Sequence, residues 1–118
     1  MNLTLPWPPA ELSPNKRNHW HKSAKHKASY RDRCRIEALM QQPNRVPAGP
    51  LSLLLEFVPP DRRRRDRDNL LASMKAGLDG LADALRIDDS RFDTVTIRVA
   101  EPAKGGQCVR VTIAPVAQ

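Results

Sequence analysis

Proline constrains this chain more than any other residue. It comes in bursts: "PWPPAELSPN" near the start, "PNRVPAGP" in the middle, and "VPP" before a run of arginines. A proline ring fixes φ and removes a backbone donor, so neither a helix interior nor a central strand runs through such a burst. Regular elements therefore have to lie between them.

The intervening segments have readable periods. Residues 2–5, "NLTL", alternate as a short strand does. From Lys22 to Gln41 the chain lacks glycine and proline, which permits a helix; Ala28, Ile36 and Leu39 give it a thin apolar stripe, helped by Tyr30 and Met40. Leu51, Leu53, Leu55 and Phe57 alternate, with Leu54 and Val58 on the other face, so a strand covered at least in part on both sides is expected. Asn69 to Leu85 reads as a second helix capped by Asp68 or Asn69. Its apolar face is Leu70, Leu71, Met74, Leu78, Leu81 and Leu85. Gly77 and Gly80 weaken it by about 1 kcal/mol each, which points to close packing there. Val95, Ile97 and Val99 alternate, as do Val109, Val111 and Ile113, and the linker "EPAKGGQ" between them predicts a hairpin.

The order is strand, helix, strand, helix, strand, strand. That is an α/β (α+β) layered domain, a small mixed sheet packed with two helices. The 118 residues suit a single domain, 1–118, with one modest core. No cationic start with an apolar stretch behind it opens the chain, and "LSLLLEFV" is too short to span a bilayer. The expectation is a soluble, intracellular, cytoplasmic protein. Cys34 and Cys108 form no CxxC pair and no zinc-like spacing with histidine.

Charge then narrows the partners. The formal net charge is +7, and the usual polyanionic partner of so basic a small protein is nucleic acid. Two segments carry the excess. Asn15 to Arg35 holds eight Lys/Arg and three His with Trp20 and Tyr30 interleaved. Within it "NKRNHWHK" reads as a DNA-contact loop, where cations meet phosphates and a ring or an Asn meets an unstacked base. His19, His21 and His26 read as solvent-exposed rather than metal-binding, and Trp20 fits a core or dimer anchor as well as a DNA contact.

The second segment is "PDRRRRDRDN", Pro60 to Asn69, with five arginines and three aspartates. Asp66 and Asp68 stand two apart at the start of the second helix; Asp88 and Asp89 follow its end in "RIDDSRFD". Clustered carboxylates repel by about 4 kcal/mol per pair at 4 Å and an effective dielectric of 20, so they call for a counter-ion. Magnesium, which takes oxygen ligands and keeps several waters, suits carboxylates beside a phosphate. Zinc suits them less, with no Cys or His adjacent. The helix between the two pairs is about 24 Å long, so they meet only if the chain folds back along it or the helix ends early. The competing reading is a solvated loop in which arginines pair with the aspartates at about 1 kcal/mol or less each.

These motifs resemble the RusA family of Holliday junction resolvases, small endodeoxyribonucleases of bacteria and their phages. "LPWPP" is similar to the family's opening strand and loop, "PDRRRRDRDN" to its central acidic motif, and "IDDSRF" to its third acidic segment; "SPNKRNHW" and "SYRDR" look like phage-type members. The similarity runs from about residue 3 to 113. It implies a homodimer that resolves four-way junctions by paired symmetric nicks in recombination and repair, using magnesium or manganese. It implies Asp66, Asp68 and Asp89 as catalytic metal ligands, with Asp88 as a further one. It gives Arg65 and Asn69 a part in positioning DNA; the basic segments themselves add Arg62, Arg63, Arg64, Asn15, Arg17, His19, Trp20 and Lys22 as candidate DNA contacts. Some members carry a functional lysine one turn after the second aspartate, where this chain has Ala72; Lys75 is the candidate to replace it. The rival expectation is a non-catalytic nucleic-acid-binding protein.

Overall fold

A computed structural model describes residues 1–14, 20–41 and 43–116, with the backbone alone at 20–22. The elements are β1 (Asn2–Pro6), α1 (Trp20–Met40), β2 (Leu51–Val58), α2 (Arg67–Leu85), β3 (Phe92–Val99) and β4 (Cys108–Pro115). Short 3-10 turns stand at Ala10–Leu12 and Asp89–Arg91. This is the expected mixed four-stranded sheet with two helices.

The sheet order is β1-β4-β2-β3. β4 runs antiparallel to both β1 and β2, whereas β3 runs parallel to β2. The expected β3–β4 hairpin is therefore corrected: β2 lies between the two strands. Their linker crosses the end of β2, where the Ala100 and Ala103 N–H groups donate to the Phe57 and Pro59 carbonyls. Val109, Val111 and Ile113 are all buried beside Leu51, Leu53, Leu55 and Phe57, whereas Val95 and Val99 of β3 are 37 % and 39 % exposed.

Both helices lie on one face of the sheet, over a core of Leu3, Leu5, the alternating β2 residues and Met74, Leu78 and Leu81 of α2. The opposite face is mostly polar, with Leu54 half-buried and Val58 buried on it as expected, and it carries Glu56 with Arg110 at 3.3 Å and Arg98 at 3.7 Å. In α1 the expected stripe is corrected. Ile36, Leu39 and Met40 are exposed, and the buried side is Tyr30, Cys34 and Ala38. The reason is the closeness of α2. A Cβ on Gly80 would lie 2.1 Å from the Arg31 carbonyl oxygen, and one on Gly77 2.7 Å from the Tyr30 ring. Helices that close accept small or flat side chains between them, not branched ones. Tyr30 donates to the Pro6 carbonyl at 2.6 Å, and the Gln41 amide brackets Thr4 with two bonds of 2.7 Å, so α1 also pins β1.

α2 begins two residues earlier than its pattern suggests. Asp66, not Asp68 or Asn69, is the N-cap: its side chain accepts the Asp68 N–H, and its carbonyl accepts the Leu70 N–H. The helix ends at Arg86 in the left-handed region, φ 57°.

Candidate functional site

The strand-to-helix junction after β2 gathers most of the charged motif. Pro59 and Pro60 stop the strand, and Asp61 then organises the loop. Its carboxylate accepts the Arg63 N–H at 3.0 Å and the Arg65 guanidinium at 2.8 Å. Those bonds, the backbone one first, hold the Asp61 carboxyl below the usual carboxylate range. Arg65 is only 17 % exposed. It also donates to the Asp61 and Arg63 carbonyls and sits 5.6 Å from the Trp7 ring centre. Its guanidinium is a clamp on the loop, and it also lines the cavity beside Asp66. Arg62 reaches Glu101 at 2.9 Å, both largely exposed. Arg63 and Arg64 point to solvent.

The arginine run therefore pairs with Asp61 and Glu101. Among the described residues no Lys or Arg forms an ion pair with Asp66 or Asp68. Both are exposed at the first turn of α2, where the helix dipole favours negative charge. Asp66 spends one carboxylate oxygen on its own cap.

The second acidic pair lies elsewhere. Asp88 caps the 3-10 turn through the Ser90 N–H at 2.8 Å, and that bond keeps its carboxyl below the ordinary value. Asp89 is held above the ordinary value, first by sharing a hydrogen bond with Asp88, then by desolvation and by the charges of Asp88 and Asp79. Asp79 lies about 16 Å along the helix from Asp68. The chain after Leu85 does turn back, but only to the level of Asp79. Within one chain, then, Asp66 and Asp68 are brought together and Asp89 is not. The described residues hold no group of three His, Cys, Asp or Glu able to bind a metal ion. Two exposed carboxylates still suit a hard cation that keeps most of its waters.

A cavity of about 550 Å³ opens beside this pair, lined among others by Trp7, Arg63, Arg64, Asp66 and Asn69. A second groove of about 380 Å³ between the helices contains Lys27, Ala72 and Lys75. Ala72 and Lys75 thus share one groove, with Lys27 and Arg31 of α1 across it and Asp79 on the same lining. Ser73 borders both hollows. Asn15, Arg17 and His19 lie outside the described residues, as do the side chains of Trp20 and Lys22. The sequence reading missed Trp7, although the arginine run and the early prolines both signal the loops that meet there.

A small basic α+β domain with a carboxylate pair at a helix start, flanked by exposed arginines, is the class that fold and site define. No model of a protein family matches the chain. It is 40% identical to an uncharacterized protein of Xylella fastidiosa (strain Temecula1) over 99% of this chain and 78% of that protein. It is 34% identical to the crossover junction endodeoxyribonuclease RusA of Escherichia coli (strain K12) over 90% of this chain and 88% of that one. The enzyme of that name from Enterobacteria phage 82 matches equally well, at 34% over the same shares. The chain belongs to the RusA family. No helix among the described residues is long and apolar enough to cross a membrane.

Proposed function

We propose that this protein is an endodeoxyribonuclease that resolves four-way DNA junctions by paired symmetric nicks, in recombination and repair. The observation that carries the reading is the Asp66–Asp68 pair, which among the described residues makes no ion pair, beside an arginine-rich loop in a member of this family. Magnesium or manganese held by these carboxylates would polarise the scissile phosphate and lower the pKa of a water. The rest is the chain's own work. Arg63 and Arg64 draw in the DNA backbone, while Arg65 keeps the loop rigid so that the carboxylates stay in register. Asn69 faces the same cavity, and Lys75, with Lys27 opposite, offers positive charge to a phosphate one groove away.

On this reading a third carboxylate comes from a second copy, since Asp89 feels Asp79 in its own chain. Asp66 and Asp68 of one subunit with Asp89, and Asp88 beside it, of the other make the complete set. The free edge at β3 is the surface we assign to that contact. Val95 and Val99 face the same side as Leu53 and Phe57 yet are 37 % and 39 % exposed. β3 also follows directly on the Asp88–Asp89 turn. A two-fold dimer presents two identical sites to a junction of two-fold character.

The test is cleavage of a synthetic four-way junction and a matched linear duplex, with magnesium and with chelator. Symmetric cuts in the junction, dependent on metal and lost in Asp66→Asn, are expected. An Asp66→Asn variant that cuts like wild type sinks the site assignment. Binding without cleavage of any DNA establishes the non-catalytic alternative.

A further inference from the structure

We infer that the cavity beside Asp66 is a pocket for one unpaired nucleobase of the DNA, with Trp7 as its aromatic wall. This rests on the nuclease reading for the substrate and adds how the strand is held. Trp7 follows β1 and is locked by flanking prolines Pro6 and Pro8. Its ring packs edge-to-face on Phe57, 6.0 Å between centroids at 88°, and carries the Arg65 guanidinium at 5.6 Å. The indole is thus fixed in place while remaining part of the cavity lining. A rigid aromatic surface is what a base stacks on, whatever its identity.

The rest of the lining selects the ligand class. Leu70 and Pro8 are apolar, Asn69 brings an amide that both donates and accepts, and Arg63 and Arg64 bring cations. A bare phosphate site has no use for the apolar wall, and an apolar peptide has no use for the arginines. A nucleotide uses all three: ring on Trp7, base edge on Asn69, phosphate on the arginines. About 550 Å³ is ample for one nucleotide and lies in the ordinary range for ligand pockets. Asp66 lines the same cavity, so a base seated there anchors the strand next to the carboxylate pair. Taking a base out of the stack costs least where pairing is already broken, as at a branch point. The pocket therefore favours a junction over intact duplex.

Photo-crosslinking tests this without any cleavage. Four-way junctions carrying 5-iododeoxyuridine at successive positions are bound in chelator and irradiated, and the crosslinked residue is mapped by mass spectrometry. Crosslinking to Trp7 from one position near the branch point, and from none in the arms, is expected. Binding of the junction with no crosslink to Trp7 from any position overturns the pocket. Asn69→Ala keeps Trp7 and the core intact; it is expected to weaken junction binding about fivefold or more and linear-duplex binding hardly at all. An equal loss on both DNAs overturns the pocket as well. A protein that cuts junctions in magnesium but gives no Trp7 crosslink loses the pocket and keeps the nuclease reading. One that gives the crosslink but cuts nothing keeps the pocket and loses the nuclease reading. One that binds no DNA loses both.

Discussion

The carboxyl group of Asp89 is held above its ordinary value by Asp88 and, less, by Asp79, which stands about 16 Å along α2 from Asp68. The separation of Asp89 from Asp68 is topological. β2 and β3 are parallel neighbours joined through α2, so the acidic residues before α2 and those after it start from opposite ends of the same strand pair. If the working site needs both sets, two chains have to share it.

Subunit mixing reads that directly. Asp66→Asn and Asp89→Asn should each be inactive on a four-way junction, with cleavage down about a thousandfold or more. Mixed and allowed to exchange, they should recover nicking, because one of the two shared sites then has all its carboxylates. No recovery in the mixture, measured on a labelled junction, refutes the shared site.

The loop arginines should separate into two kinds. Replacing Arg63 and Arg64 together by alanine should weaken DNA binding and reduce the slope of log K against log salt by about 2, with no change in thermal stability. Arg65→Ala should instead destabilise the fold by about 1–2 kcal/mol, since it removes bonds to the Asp61 carboxylate and to two carbonyls. Salt titrations and thermal melts on both variants check this. A large loss of Tm in the double variant would mean that Arg63 and Arg64 hold the loop rather than the DNA.

The helix pair should tolerate no side chain at Gly80. The Arg31 carbonyl is backbone and cannot swing aside from an added Cβ at 2.1 Å. Gly80→Ala should therefore cost about 1–3 kcal/mol despite alanine's better helix propensity, seen as a drop in the denaturant midpoint. A stabilised Gly80→Ala protein would show that the helices are further apart in solution.

Alkaline pH should loosen the same interface. Burial pushes the Cys34 thiol up to about 11, and it raises the Tyr30 phenol too. An unfolded thiol titrates near about 8.5. Between those two values the unfolded chain gives up its proton while the folded one keeps it, so stability falls as pH rises. It should be level up to about pH 8.5 and then decline towards pH 11, with a share on the order of 3 kcal/mol from Cys34. Melting curves across that window test it, and Cys34→Ala should flatten the decline.

Much of this protein is local, and local features are legible in a sequence. The alternation of Leu51, Leu53, Leu55 and Phe57 defines a strand wherever it sits, because successive side chains must point to opposite faces. Proline bursts mark where elements end. The pairing of Asp66 with Asp68 is equally local, two residues apart across a helix cap. Other properties depend on what lies next door. Whether Val109 pairs with β3 or with β2 is settled by the strand order of the whole sheet, which alternation cannot express. Whether Ile36 or Cys34 faces the core depends on how close the Gly80 backbone comes. The distance between Asp68 and Asp89 is the clearest case. The residue types were plain from the sequence, but their separation is set by the crossover through α2, and only the folded chain has that length.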